Sequence, residues 1–387
     1  MQPIKLLLVF GTRPEAIKMA PVVHALQQEG CFEVRVCVTG QHRQMLDQVL
    51  TWFKLTPDYD LNIMSTNQSL TELHHKIMQG LESVFADFKP HRILVHGDTA
   101  TSFAASLAAF YHKVSVAHVE AGLRTDTLYS PWPEEANRRL TTVLADLHFA
   151  PTMWAKENLL RVQVAENTVY VTGNTVIDAL YSTLATINAS PELVQQLQSQ
   201  LDFVGVAKQQ KRKILLVTGH RRENHGQGIE SLCAALKYLV ANYAVDVVYP
   251  VHLSPHVDIP VRKLLAGDSH IHLLEPLDYV PFVYLMQQSD MILTDSGGIQ
   301  EEAPSLAKPV LVMRDATERP EGIAAGVVRL VGTQAQDIID AVTMLLNQPS
   351  AYQQMSQSIN PYGDGQAAQR IVTILKQSYG IACTQPV

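Results

Sequence analysis

Short apolar runs alternate with amphipathic stretches through nearly all of the 387 residues. Runs at 4–10, 33–39, 92–96, 115–119, 147–150 and 168–171 make one series. A second series follows at 213–218, 246–250, 270–274, 291–294, 310–313 and 327–331. Helical periodicity fills the spaces between them, as at 101–111, 229–242 and 335–346. Strands apolar on both faces must be covered on both, and strand–helix–strand succession achieves this with a parallel sheet. The pattern therefore predicts an α/β protein with two doubly wound, Rossmann-like domains facing a cleft. The break falls near 173–213, where Gln-rich, helix-like sequence ends in the polar run Lys208-Gln-Gln-Lys-Arg-Lys213.

Composition narrows the possible functions. Hydrophobic residues at 47% and charged residues at 17% belong to a folded soluble chain. A formal net charge of -7 argues against a nucleic-acid surface, which needs a clustered basic excess. No run approaches the ~20 apolar residues that cross a bilayer, so no membrane association is expected. Residues 1–10 lack the charged n-region and cleavage site of a secretory signal. Cys31, Cys37, Cys233 and Cys383 are scattered and read as reduced thiols, consistent with a cytoplasmic setting.

In an open parallel sheet, ligands bind beyond the carboxyl ends of the strands, and two such domains place a ligand between them. This rule singles out the polar residues that directly follow predicted strands. Arg13 and Lys18 follow the first, in "VFGTRPEAIK", where the spacing of a dinucleotide fingerprint is absent. Asp98 follows "ILVHGD", Glu120 closes "VAHVE", and Glu134 lies in "SPWPEEANRR". In the second half, His220 follows "ILLVTG", His252 follows "VVYPVH", and Asp295-Ser-Gly-Gly298 follows "MILT". Several of these have plain structural alternatives. Asp98 suits an N-cap for a helix starting near Thr99. Glu134 and Glu135 follow Pro133 and complement a helix dipole. Glu120 has no capping role and is expected to face the ligand. Pro255 interrupts the His252–His256 spacing, and no Cys or acidic cluster supports it, so no metal site is expected. Neither a P-loop nor a G-x-S-x-G elbow occurs.

Gly297 and Gly298 let backbone amides approach a ligand closely, and a helix start there favours phosphate. The following pair Glu301-Glu302 would repel phosphate, so one of the two suits the hydroxyls of a ribose. Phosphate with ribose means a nucleotide, whose charged end Arg13 and Lys18 are suited to meet.

With these residues in place, the sequence resembles the non-hydrolysing UDP-N-acetylglucosamine 2-epimerases. The resemblance rests on "FGTRPEAIKMAP", "QHRQMLDQVL", "LVHGDT", "HVEAGLRT", "SPWPEEANRR", "TGNTVIDAL", "TGHRREN", "YPVHLSP", "LTDSGGIQEEAPSL", "MRDATERPE" and "NPYGDGQA", in order from residue 10 to about 370. It implies a glycosyltransferase-B type fold, with domains 1–172 and 173–365 and a C-terminal helix within 366–387 packing back on the first. It implies substrate contacts at Arg13, Lys18, Asp98, Glu120, His220, Phe282, Ser296, Gly297, Gly298, Glu302 and Arg319. Asp98, Glu120 and Glu134 match the family's catalytic carboxylates, and His220 is placed to assist the leaving group. Gln41, His42, Gln44, Arg221 and His252 match positions tied to activation by a second substrate molecule in some relatives; Asn67 stands where those relatives carry an arginine. A homodimer and no added cofactor are also expected.

The family's reaction interconverts UDP-N-acetylglucosamine and UDP-N-acetylmannosamine by inverting carbon 2. No carbonyl is conjugated to that C–H bond, so loss of UDP before loss of the proton is the accessible route. The product supplies surface polysaccharide in this reading. The rival readings are a hydrolysing epimerase, a glycosyltransferase of the same fold, and a nucleotide-sugar sensor without catalysis.

Overall fold

The computed structural model describes residues 2–40, 43–65, 68–125, 127–219, 221 and 224–382, together with the backbone but not the side chain of Gln44. The chain divides into two compact units, Met1–Ala179 with Tyr362–Val387, and Leu180–Pro361. The division falls inside the helix Thr175–Ala189 rather than at the 172/173 boundary suggested by sequence. Asp178 accounts for the shift, because its carboxylate accepts the N–H groups of Ala367 (3.2 Å) and Ala368 (2.9 Å) and ties the start of that helix to the returning chain.

Unit 1 holds β1 (Ile4–Phe10), β2 (Phe32–Val38), β3 (Tyr59–Asp60), β4 (Arg92–His96), β5 (Ser115–Val119), β6 (Leu147–Ala150) and β7 (Val169–Val171). They form a parallel sheet in the order β3-β2-β1-β4-β5-β6-β7. Unit 2 holds β8 (Lys213–Thr218), β9 (Val245–Pro250), β10 (Ile271–Leu274), β11 (Met291–Thr294), β12 (Val310–Val312) and β13 (Val328–Leu330). Its parallel order is β10-β9-β8-β11-β12-β13. Each sheet reverses its winding once, between β1 and β4 and between β8 and β11, which is the point where doubly wound sheets open toward ligands.

The cores follow from the apolar runs. Leu7, Val9, Ile93 and Val95 pack in unit 1 with Leu81, Phe85 and Phe88 of the helix Leu70–Phe88 and with Ala104 and Ala108 of the helix Ala100–Tyr111. In unit 2, Leu215, Val217, Val247 and Leu293 pack with Leu232 and Leu236 of the helix Gln227–Asn242 and with Ile338 and Val342 of the helix Ala335–Asn347. The C-terminal helix Ala367–Ser378 lies on the first helix, Arg13–Gln27, and Lys376 meets Glu29 at 2.9 Å. Among the described residues, no helix is long and apolar enough to cross a membrane.

Candidate active site

The first turn after β1 is built by a residue that the sequence reading passed over. Glu15 is 1% exposed, and its carboxylate accepts the backbone N–H groups of Gly11 (3.0 Å) and Thr12 (2.8 Å). Thr12 in turn accepts the N–H of Glu15, completing a capping box that starts the helix Arg13–Gln27. The other Glu15 oxygen accepts the hydroxyls of Thr99 (2.7 Å) and Ser102 (3.3 Å), which lie just beyond β4. Burial raises the Glu15 pKa, against the opposing hydrogen bonds from Thr99, Gly11 and Thr12. One carboxylate thus fixes the β1 turn against the β4 turn. Arg13, by contrast, is half-buried and makes no hydrogen bond or ion pair among the described residues.

The turn after β4 decides the role of Asp98. Thr99, not Asp98, is the N-cap of the helix Ala100–Tyr111, with its hydroxyl accepting the N–H of Ser102 at 3.1 Å. The Asp98 side chain is left half-buried and pairs with Arg138, while Asn137 donates to its backbone carbonyl at 3.0 Å. Glu120 directly follows β5 in the left-handed region (φ +61°), a costly conformation for a residue with a side chain. It pairs with the buried Lys18 and accepts an N–H of Asn174 at 2.9 Å. His96 Nε2 lies 3.7 Å from the same oxygen; burial pushes that imidazole down to about 4 despite Glu120, so it is neutral at pH 7. Two residues on, a Cβ at Gly122 (φ +94°) would lie 2.2 Å from the Ala155 carbonyl, so only glycine lets the chain turn here. Glu134 is the first residue of the helix Glu134–Leu144, half-buried and without a hydrogen bond or ion pair among the described residues. Its neighbour Glu135 is fully buried and holds Arg138 (3.2 Å) and Arg139 (2.6 Å). The two adjacent acids therefore differ: Glu135 is committed to two ion pairs, and Glu134 makes none among the described residues.

In unit 2, the buried Asp295 accepts the Arg221 N–H (2.8 Å) and the Asn224 amide (3.0 Å), holding the turn after β8 beside the end of β11. Ser296 precedes the short helix Gly297–Glu302 without capping it through its side chain. A Cβ at Gly297 would lie 2.5 Å from Nη1 of Arg319, so the glycine admits the guanidinium directly onto the backbone. Arg319 is held by Glu301 at 2.7 Å and by Glu318 at 2.8 Å. Burial alone would raise the Glu318 pKa, but Arg319 and Arg314 outweigh it and hold it down at about 2. Arg221 reaches Glu318 at 3.6 Å, so three guanidiniums meet two carboxylates beside the glycine pair. The acids of the pair Glu301-Glu302 also differ: Glu301 pairs with Arg319, whereas the Glu302 carboxylate, the one that the family resemblance singles out, lies 3.5 Å from where a Gly298 Cβ would stand.

Phe282 is half-buried on the helix Tyr279–Gln288, and the exposed His252 accepts the N–H of Ser254 at 3.1 Å. Gln41, His42, Asn67 and His220 lie outside the described residues, as does the side chain of Gln44. Two participants escaped the sequence reading. Asn174 carries the signal of a polar residue just beyond β7. Glu15 sits three residues after Thr12 in a capping-box pattern, which identifies a helix start but not the contact with β4.

Polar groups stand at the carboxyl ends of β1, β4 and β5 in unit 1 and of β8 and β11 in unit 2, the ligand-binding edge of each doubly wound α/β sheet. The family model for UDP-N-acetylglucosamine 2-epimerase matches residues 24–376. The UDP-N-acetylglucosamine 2-epimerase of Yersinia pestis is 58% identical over 374 residues, covering 96% of this chain and 98% of that protein. That of Escherichia coli K12 is 55% identical over 376 residues, covering 97% and 99%. The crystal structure of the Neisseria meningitidis enzyme bound to UDP-GlcNAc superposes with a TM-score of 0.90 at 53% identity, covering 97% of this chain and 100% of that one. The chain belongs to the UDP-N-acetylglucosamine 2-epimerase family, and its two sheets have the glycosyltransferase-B-like fold of these neighbours.

Proposed function

We propose that this protein interconverts UDP-N-acetylglucosamine and UDP-N-acetylmannosamine, keeping the sugar linked to UDP throughout. The observation that carries the reading is the grouping in unit 1 of Arg13, Asp98, Glu120 and Glu134 at the ends of neighbouring strands and the helices that follow them. A simple nucleotide sensor has no use for three carboxylates there. Full-length identity to named 2-epimerases favours this reading over the hydrolysing and glycosyltransferase alternatives.

In the proposed reaction the carbon 1–oxygen bond breaks first, and its electron pair leaves with UDP. The carbon 2 proton passes to one of the three carboxylates, giving enzyme-bound 2-acetamidoglucal. UDP then adds back at carbon 1, while a second acid delivers a proton to the opposite face of carbon 2. The steps balance without an external oxidant. Arg13 is assigned to the departing diphosphate because it is a cation not neutralised by any described residue; preorganised charge of this kind lowers barriers most. Gly297, Gly298 and Ser296 are assigned to the diphosphate, Glu302 to the ribose, and Phe282 to the nucleotide. His220 is assigned to leaving-group assistance. Lys18, tied to Glu120, and Arg319, tied to Glu301 and Glu318, serve mainly to position those carboxylates and the glycine turn.

We also propose a cytoplasmic homodimer. The apolar side chains of Phe110, Tyr111, Leu140 and Val143 are exposed on two helices that pack together, which supports burial by a second copy. The test of the activity is product analysis with purified protein and UDP-N-acetylglucosamine alone. A mixture of the two UDP-sugars is expected. Free N-acetylmannosamine would mean the hydrolysing reaction, and unchanged substrate would mean a sensor or a transferase lacking its acceptor.

A further inference from the structure

The polar run at 208–213 takes no part in the site described above. It leads from the helix Asp202–Gln209 into β8, so Lys213 stands at the amino end of that strand. Asp290 immediately precedes β11, and Lys308 lies two residues before β12. These residues share the amino edge of the unit 2 sheet, opposite the edge that carries Gly297 and Gly298.

At this edge Lys208, Lys211, Arg212, Lys213 and Lys308 line an open recess of about 470 Å³, with Asp290 the single carboxylate in its lining. Two of the five cations are neutralised. Arg212 pairs with Asp246, and Lys213 meets Asp290 at 2.9 Å. Among the described residues, Lys208 reaches only the amide oxygen of Gln288. Lys211 and Lys308 make no side-chain hydrogen bond or ion pair among the described residues. Three ammonium groups from two stretches of chain, 208–211 and Lys308, therefore share the recess with Asp290 as its one carboxylate, which is already paired with Lys213. Lysines on a solvated helix face would spread apart, but Lys308 is half-buried and cannot. Burial lowers its pKa; Asp290 opposes this, and Lys208 and Lys213 add to it. An anion in the recess would relieve that repulsion.

We propose that this recess is a second ligand site, for a small polyanion carrying a chain of phosphate groups. Its volume falls within the range of small-molecule sites. An ammonium group is a compact point charge with three rotatable donors, and several of them together can meet the oxygens of a phosphate chain.

Calorimetric titration of the full chain with sodium tripolyphosphate, in saturating UDP to fill the nucleotide site, tests this. Saturable binding is expected, weakened about tenfold or more in K211Q/K308Q, the effect of losing charge-assisted contacts. Turnover and folding of that variant should match the parent. A parallel titration with ATP distinguishes the source: equal affinity means the phosphate chain alone is recognised, and tighter binding means the nucleoside adds to it. No binding at millimolar tripolyphosphate, binding abolished by UDP, or undiminished binding by the double variant would each overturn the proposal.

Discussion

Arg13 and Glu15 stand two residues apart on the first turn of one helix, and only Glu15 is tied into the protein. Arg13→Ala should therefore leave the melting temperature nearly unchanged while lowering turnover by about a hundredfold, the effect of losing ~3 kcal/mol of transition-state stabilisation. Normal turnover with a lowered melting temperature would mean a structural arginine. Glu15→Ala should cost about 2–4 kcal/mol of stability, because two backbone N–H groups lose their buried acceptor. Glu15→Gln should cost much less. Its oxygen can still face the Gly11 and Thr12 amides, while the Thr99 and Ser102 hydroxyls turn to accept from its NH₂. Comparable denaturation midpoints for the two variants would contradict this geometry. At this scale the sequence was partly legible. Residue type and position singled out Asp98 and Glu120 as candidates, only the family resemblance raised Glu134 among them, and the cap expected of Asp98 is supplied by Thr99. Residue type alone did not divide Glu301 from Glu302; the family resemblance singled out Glu302, and the structure adds that Arg319, 18 residues downstream, pairs with Glu301.

Across β4, β5 and β6, His96, His118 and His148 are buried on adjacent parallel strands. Burial is the leading cause that pushes them down to about 4, 3 and 4 respectively. Their folded pKa values lie below the unfolded ~6.5, so the unfolded chain binds more protons as pH falls below that point. Their contribution to stability is present above pH ~6.5 and is lost toward pH 4, at up to about 1.4 kcal/mol per pH unit for each. Asp178, raised to about 6 by burial, opposes this trend between roughly pH 4 and 6, and Glu15, also raised by burial, acts in the same sense. Three histidines against two carboxylates still leave stability falling with acid. Chemical denaturation from pH 7 to 5 should show a decreasing unfolding free energy, and a flat or rising curve would contradict it. The elements themselves were largely legible, because their apolar runs end at glycines and capping residues. The exception, β3 (Tyr59–Asp60), is too short to carry a periodicity and forms only by pairing with β2.

For the whole molecule, the alternating pattern was sufficient to predict two parallel sheets, and each has the same winding order. What it could not provide was the return of the chain after residue 361, which depends on contacts such as Asp178 with Ala367 and Lys376 with Glu29. The proposed homodimer is checked by light scattering. The parent should have twice the chain mass, and Leu140→Asp with Val143→Asp should have the single-chain mass. A monomeric parent would remove the dimer from the account. The chemistry is tested most directly by running the conversion in deuterium oxide and following carbon 2 of both UDP-sugars by NMR. Proton loss to one carboxylate and delivery from another, solvent-exchanged acid predicts UDP-N-acetylmannosamine carrying deuterium at carbon 2. An epimerised product that retains the original hydrogen there would contradict elimination and readdition.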